Sequence, residues 1–147
     1  MLRVKTVIAL ALLDAAGVAS AQTTNAIDVD VRGLRNSHGV VNCYLYASAD
    51  GFPGDLGKAQ KRTAAPILGA SARCRFDGVA PGVYAIAIVH DERASGKLER
   101  NFMGIPTQGV GASNDAAGHF GPPSFASARF TYAGGEKSLV VHVRYLV

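Results

Sequence analysis

The sequence predicts an all-β protein, a single antiparallel β-sandwich of about seven strands. Three observations carry this prediction. Apolar and polar residues alternate with period two in several short segments, Gly, Pro, Asn and Asp cluster between those segments, and no segment keeps the 3.6-residue apolar period of an amphipathic helix for three turns. With 147 residues, 48% of them hydrophobic and 18% charged, the chain can bury one core and is too apolar to remain disordered. Its two cysteines are too few for a disulfide-built miniprotein.

Residues 1–21 read as a secretory signal peptide. Arg3 and Lys5 precede the apolar run Val7-Ile8-Ala9-Leu10-Ala11-Leu12-Leu13, and Ala19-Ser20-Ala21 offers a small-residue cleavage site; Asp14 is the one residue out of character. The run falls short of the roughly 20 apolar residues that span a bilayer, so no transmembrane segment is expected in the mature chain. Residues 22–147 would form the sandwich domain, periplasmic or secreted.

The first strand is signalled by Ile27, Val29 and Val31 alternating with Asp28, Asp30 and Arg32. Turn residues Asn36-Ser37-His38-Gly39 then feed the apolar Val40–Tyr46, which suggests a hairpin. Residues 48–66, rich in Gly, Pro, Asp and Lys, read as a surface connection with a helical turn around residues 58–61. Ala72-Arg73-Cys74-Arg75-Phe76 alternates again, and Pro81-Gly82 makes a tight turn around which Phe76, Val79 and Tyr84 can pack. Residues 83–89 are apolar almost without interruption, which requires burial on both faces and therefore a central strand. Gly134-Gly135 divides Phe130-Thr131-Tyr132 from Leu139, Val141, Val143 and Tyr145, a last hairpin. Between the central strand and that hairpin lies one long loop, residues 90–123, with little periodic structure. A loop of this length in a small domain is commonly functional or packed on itself.

Export changes the meaning of Cys43 and Cys74. In an oxidising compartment these two residues, both in strand-like segments, are expected to pair; two separate buried thiols are the alternative. The net charge of +4 does not point to nucleic acid, because the basic residues are scattered without runs or interleaved aromatics.

Residues 76–130 resemble the bacterial domain-of-unknown-function family 2141, small secreted proteins without an established activity. The resemblance runs through Pro81, Gly82, Tyr84 and Ala85, then His90, Asp91, Glu92, Gly96, Leu98 and Asn101, then Gly104-Ile105-Pro106, Gly111, Ser113-Asn114, Pro122-Pro123, Phe125 and Ala128. Gly33-Leu34-Arg35-Asn36, Gly39-Val40 and Gly51-Phe52-Pro53 fit as well. It implies a secreted β-sandwich of the prealbumin-like or immunoglobulin-like kind. Arg93, Ser95, Glu99 and Gln108 stand where the family pattern has Asn, Asn, Asp and Glu. That pattern looks like a calcium loop, with oxygen side chains at alternate positions and a glycine. Arg93 places a cation where a ligand oxygen would stand, so no cofactor is expected and calcium through Asp91, Ser95 and Glu99 is disfavoured; these three residues are read instead as closing a turn on their own backbone.

The residues expected to carry function are His90, Asp91, Glu92, Asn101, Ser113 and Asn114. His90, at the end of the central strand, reads first as a rim histidine bonded to a loop carbonyl or carboxylate. A hydrolase would use His90 as base, Asp91 or Glu92 to orient it and Ser113 as nucleophile, but no nucleophile elbow or oxyanion hole accompanies them. Ser113-Asn114 reads better as a loop anchor, and Phe102 and Phe125 as plugs seating the loop on the sandwich. The expected function is that of an exported, non-catalytic binding or accessory module of the cell envelope using residues 90–123. An envelope protein or a glycan would be its partner. The alternatives are a purely structural domain with a packed loop, and a hydrolase or calcium-binding protein using His90 and Asp91.

Overall fold

A computed structural model describes residues 11, 15–20 and 22–147, so the signal-peptide reading falls largely outside the described residues. Among these residues, nine strands and one short helix run in the order β1 (Ala26–Arg32), β2 (Val40–Tyr46), β3 (Lys61–Ala65), β4 (Ile67–Leu68), β5 (Ser71–Asp77), β6 (Gly82–Asp91), β7 (Gly109–Ala112), α1 (Phe125–Ala128), β8 (Phe130–Tyr132) and β9 (Glu136–His142). They form two sheets. The first has the order β4-β5-β1-β9 and the second β3-β2-β6-β7, with β8 joined to β6 beside β7. No described helix is long and apolar enough to cross a membrane.

One core fills the space between the sheets. Ile27, Val29 and Val31 of β1 and Cys74 and Phe76 of β5 meet Val41, Cys43 and Leu45 of β2 and Tyr84, Ile86 and Ile88 of β6, all buried. These are the apolar halves of the alternations read in the sequence. The intervening residues of β6, Ala85, Ala87 and Val89, are also buried, under Phe52, Leu56, Leu98 and Phe125. The unbroken apolar run of β6 is thus explained: it is central in its sheet and covered on both faces. At its start Tyr84 donates its hydroxyl to the Ala80 carbonyl at 2.6 Å, which ties the Pro81-Gly82 corner to the strand.

Cys43 and Cys74 form a disulfide, Cα atoms 6.4 Å apart, that links β2 of one sheet to β5 of the other. Chain crossings close both ends of the sheet stack. Pro66 carries the chain from β3 to β4, and beyond β9 the Arg144 and Val110 backbones exchange hydrogen bonds of 2.8 Å.

The pairings differ from the sequence reading in three places. Segments β1 and β2 are not a hairpin: β1 pairs with β5 and β9, and β2 with β3 and β6, so the turn residues 33–39 cross between sheets and bury Leu34. Nor are β8 and β9 a hairpin. Gly134 and Gly135, with φ of 95° and 75°, swing the chain from β6 across to β1, where β9 runs parallel to it. A period-two pattern decides which face a side chain occupies and leaves the partner strand open, which is why the faces agree with the sequence and the partners do not. Finally, the expected long loop contains β7, whose sequence Gly-Val-Gly-Ala carries almost no strand propensity. The glycines are there for space. A Cβ on Gly109 would stand 2.6 Å from Val143 Cγ1 and Tyr145 Cε1, and one on Gly111 2.9 Å from Val141 Cγ1. The helical turn expected around residues 58–61 lies slightly earlier, as a 3-10 turn at Leu56–Lys58 capped by Asp55, and Lys61 already belongs to β3.

Candidate functional site

Strand β6 ends at His90 and Asp91, both fully buried, and these two side chains anchor the segment that leaves the sheet. The His90 Nε2 lies 2.9 Å from the His38 carbonyl oxygen and Nδ1 2.6 Å from the Tyr145 hydroxyl. A carbonyl only accepts, so Nε2 carries a proton, and in the neutral ring Nδ1 accepts from Tyr145. That hydroxyl in turn accepts the Arg35 N–H at 3.0 Å, while the Arg35 guanidinium sits 4.4 Å above the Tyr145 ring and pairs with Glu92 at 2.6 Å. The hydrogen bond from Arg35 holds the Glu92 carboxyl below the usual carboxylate range. The histidine thus joins three remote segments: the β1–β2 connection, the end of β6 and the tail after β9.

Asp91 points to the other side of the sheet. Its Oδ2 accepts the Gly96 N–H at 2.7 Å and the Asn42 amide at 3.4 Å, and its Oδ1 accepts the Ser95 N–H at 3.0 Å and the Ser95 hydroxyl at 3.3 Å. Burial alone would raise its carboxyl, but the donors of Gly96, Ser95 and Arg93 outweigh burial and the net shift is downward. These are the turn-closing bonds expected of Asp91 and Ser95; the Glu99 carboxylate, expected in the same turn, pairs with Arg93 instead. Gln108, also buried, completes the brace: its Oε1 accepts the Glu99 N–H at 2.9 Å and its Nε2 donates to the Lys97 carbonyl at 3.0 Å.

The chain beyond this brace runs out and back as a short hairpin, with Thr107 N–H bonded to the Glu99 carbonyl and Arg100 bridged to Pro106. Asn101 builds the tip. Its side-chain oxygen accepts the N–H groups of Met103 and Ile105, each at 3.0 Å, and its backbone bonds Gly104 and Ile105 at 2.9 Å. Leu98 packs inward against the outer face of the second sheet. At the tip Phe102 is 98% exposed and Met103 68% exposed. The expectation that Phe102 plugs the loop onto the sandwich is therefore overturned. Asn101 turns the tip away from the core, and of the two phenylalanines Phe125 alone is a plug, edge-on to Phe52 at 6.0 Å.

Ser113 and Asn114 lie elsewhere. The Ser113 hydroxyl accepts the Ile86 N–H at 2.9 Å and donates to the Ala128 carbonyl at 2.6 Å, and Asn114 donates to the Ser127 and Arg129 carbonyls at 3.2 and 2.9 Å. Both anchor α1 against β6. Ile86 stands four residues from His90 on one strand, about 13 Å away, so Ser113 and His90 are not within the hydrogen-bond reach that a nucleophile and its base need.

The six expected residues are thus split three ways: His90, Asp91 and Glu92 at the base, Asn101 at the hairpin tip, and Ser113 and Asn114 under the helix. A polar depression of about 250 Å³ at the base is lined by Arg35, Glu92, Arg93, Glu99, Thr107 and Gln108. Two ion pairs, Arg35 with Glu92 and Arg93 with Glu99, already occupy its charged groups. No group of three or more His, Cys, Asp or Glu able to hold a metal occurs among the described residues. Sequence reasoning missed Arg35, Tyr145 and Asn42 as parts of the base, because each arrives from a distant segment and the family match at Gly33-Leu34-Arg35-Asn36 assigns Arg35 no partner. For Gln108 a signal existed, its departure from the family's Glu.

Fold and site together define a small two-sheet β protein, stapled between its sheets, whose loops are braced by buried polar side chains. The chain belongs to the family of uncharacterised proteins conserved in bacteria, DUF2141, whose sequence profile matches residues 29–140. No match was found among curated proteins or among solved structures.

Proposed function

We propose that this protein is an exported, non-catalytic sandwich of the prealbumin-like or immunoglobulin-like kind that serves as a binding or accessory module of the cell envelope, with the segment after β6 as its recognition surface. The observation that carries the reading is the hairpin of residues 97–108. It presents Phe102 and Met103 to solvent at a tip shaped by Asn101, from a base fixed by Asp91 and Gln108. Loops held on a rigid β scaffold are a common site of recognition, and Phe and Met are among the side chains that interfaces favour. The inter-sheet disulfide favours an oxidising, extracytoplasmic setting, and the Tyr84 hydroxyl bond back to Ala80 is the kind of corner that sandwich domains use. The purely structural alternative draws on the internal satisfaction of His90 and Asp91, but leaves Phe102 without a purpose.

The test is photo-crosslinking in the producing cell from a reactive amino acid at position 102, with Ser138 on the first sheet as control position. A discrete adduct from 102 and none from 138 is the expected result. Equal, diffuse labelling from both positions would return the hairpin to a structural role.

A further inference from the structure

We propose that the tip of the 97–108 hairpin docks on an anionic lipid surface, with Phe102 and Met103 entering the interface and the neighbouring cations meeting the headgroups. The inference rests on the reading of the hairpin as a recognition surface and names the partner's chemistry. The tip is convex and narrow: two apolar side chains project, and the next residue, Gly104, adds none. A stable protein interface takes about 800 Å² from each side, more than two side chains supply, whereas an interfacial anchor needs only local insertion joined to electrostatic attraction.

The charge around the tip has the matching sign. Arg100 is held at it by a bond from Nη1 to the Gly104 carbonyl at 3.2 Å, and Lys97 stands at the hairpin's start. Arg62 lies beneath, its Nη2 3.6 Å from where a Gly96 Cβ would be. Among the described residues none of these three cations has a carboxylate partner within 4.0 Å, while the one carboxylate of the hairpin, Glu99, is neutralised by Arg93. An apolar tip with one unopposed Arg at it and an unopposed Lys and Arg at the foot of its hairpin presents a cationic flank to anionic headgroups, and such attraction weakens as salt screens it. The tip is also preorganised, since Asn101 fixes its backbone, so docking need not order it.

The experiment is co-sedimentation of the purified protein with vesicles of phosphatidylcholine alone or with about one-third phosphatidylglycerol, at low and at physiological salt. Binding is expected to the anionic vesicles only and to fall with salt. The double variant Phe102→Ser, Met103→Ser should lower the bound fraction about fivefold or more, since insertion of both side chains is lost. Arg100→Glu should lower it independently, and both variants should keep the wild-type melting temperature, which shows that they fold. Wild-type protein that ignores anionic vesicles, or a double variant that binds them as well as wild type, overturns the lipid assignment. The two readings separate cleanly. A protein adduct from position 102 in cells with no vesicle binding removes the lipid and keeps the recognition surface, whereas neither adduct nor vesicle binding removes both.

Discussion

The outward faces of the two sheets meet water in opposite ways. On the first sheet, Asp28 and Asp30 of β1 and Arg73, Arg75 and Asp77 of β5 alternate with core residues and point to solvent, where Arg75 bridges Asp28, Asp77 and Glu136 at 2.9 to 3.0 Å. On the second sheet, the outward Tyr44, Tyr46, Ala87 and Val89 are buried beneath residues that the connections supply, Phe52, Leu56, Ala59, Leu98 and Phe125. One sheet is its own surface. The other is a floor for a layer of loops, and that layer carries the polar braces and the exposed Phe102. The difference teaches where function can be added: a face that must be covered recruits loops, and loops fixed on a rigid floor can hold a side chain out into solvent at a defined place.

Tests of this contrast can be ordered by size. Tyr46→Ala should be the most damaging change, about 3–5 kcal/mol by chemical denaturation, because the ring is fully buried, stacks edge-on with Phe52 and donates its hydroxyl toward the Pro53 and Asp55 carbonyls. A loss below about 1 kcal/mol would mean that the loop layer is not packed on the floor in solution. Removing the Cys43–Cys74 bond, which spans 31 residues, should cost about 3–4 kcal/mol and lower the melting temperature on reduction. Acid should loosen the base of the hairpin next. The native carboxyls of Asp91 and Glu92 are held below their ordinary values, so their stabilisation is complete above about pH 5 and drains away as pH falls through the lowered values. Glu92→Gln should flatten part of that decline in a melting series from neutral to acid.

Smaller still is Tyr44→Phe. The Tyr44 hydroxyl is buried without a hydrogen-bond partner among the described residues, so its removal should stabilise by about 1 kcal/mol; destabilisation would show that the hydroxyl is bonded in solution. Least of all, Arg75→Ala should leave the melting temperature nearly unchanged, since exposed ion pairs contribute little and are screened by salt. A large drop there would make the ionic face of the first sheet structural and erase the contrast.

Much of this is legible in the residues. The alternation of Ile27, Val29 and Val31 with charged neighbours places β1 half in the core, and the unbroken run of β6 announces a strand covered on both sides. The two cysteines, in strands that both face the core, bridge as expected. The site is legible only in pieces. That Asp91 and Ser95 close a turn follows from their spacing, since the bonds are local. That His90 meets Tyr145, or Asp91 meets Asn42, has no local signal, because those partners lie 55 and 49 residues away. Phe102 departs from its expectation for a related reason: its apolarity suggests burial, but its direction is set by Asn101 through backbone bonds that a hydropathy pattern does not record.

By itself the sequence determined the class of fold, the faces of the strands, the central position of β6 and the local turns, because these depend on period, backbone restriction and neighbours within a few residues. Tertiary structure alone decided which strand pairs with which, that β9 runs parallel beside β1, that glycine-rich β7 is a strand at all, and that a phenylalanine faces water. Those outcomes depend on which remote surfaces meet, and the free energy of such a meeting belongs to the pair of surfaces rather than to either segment.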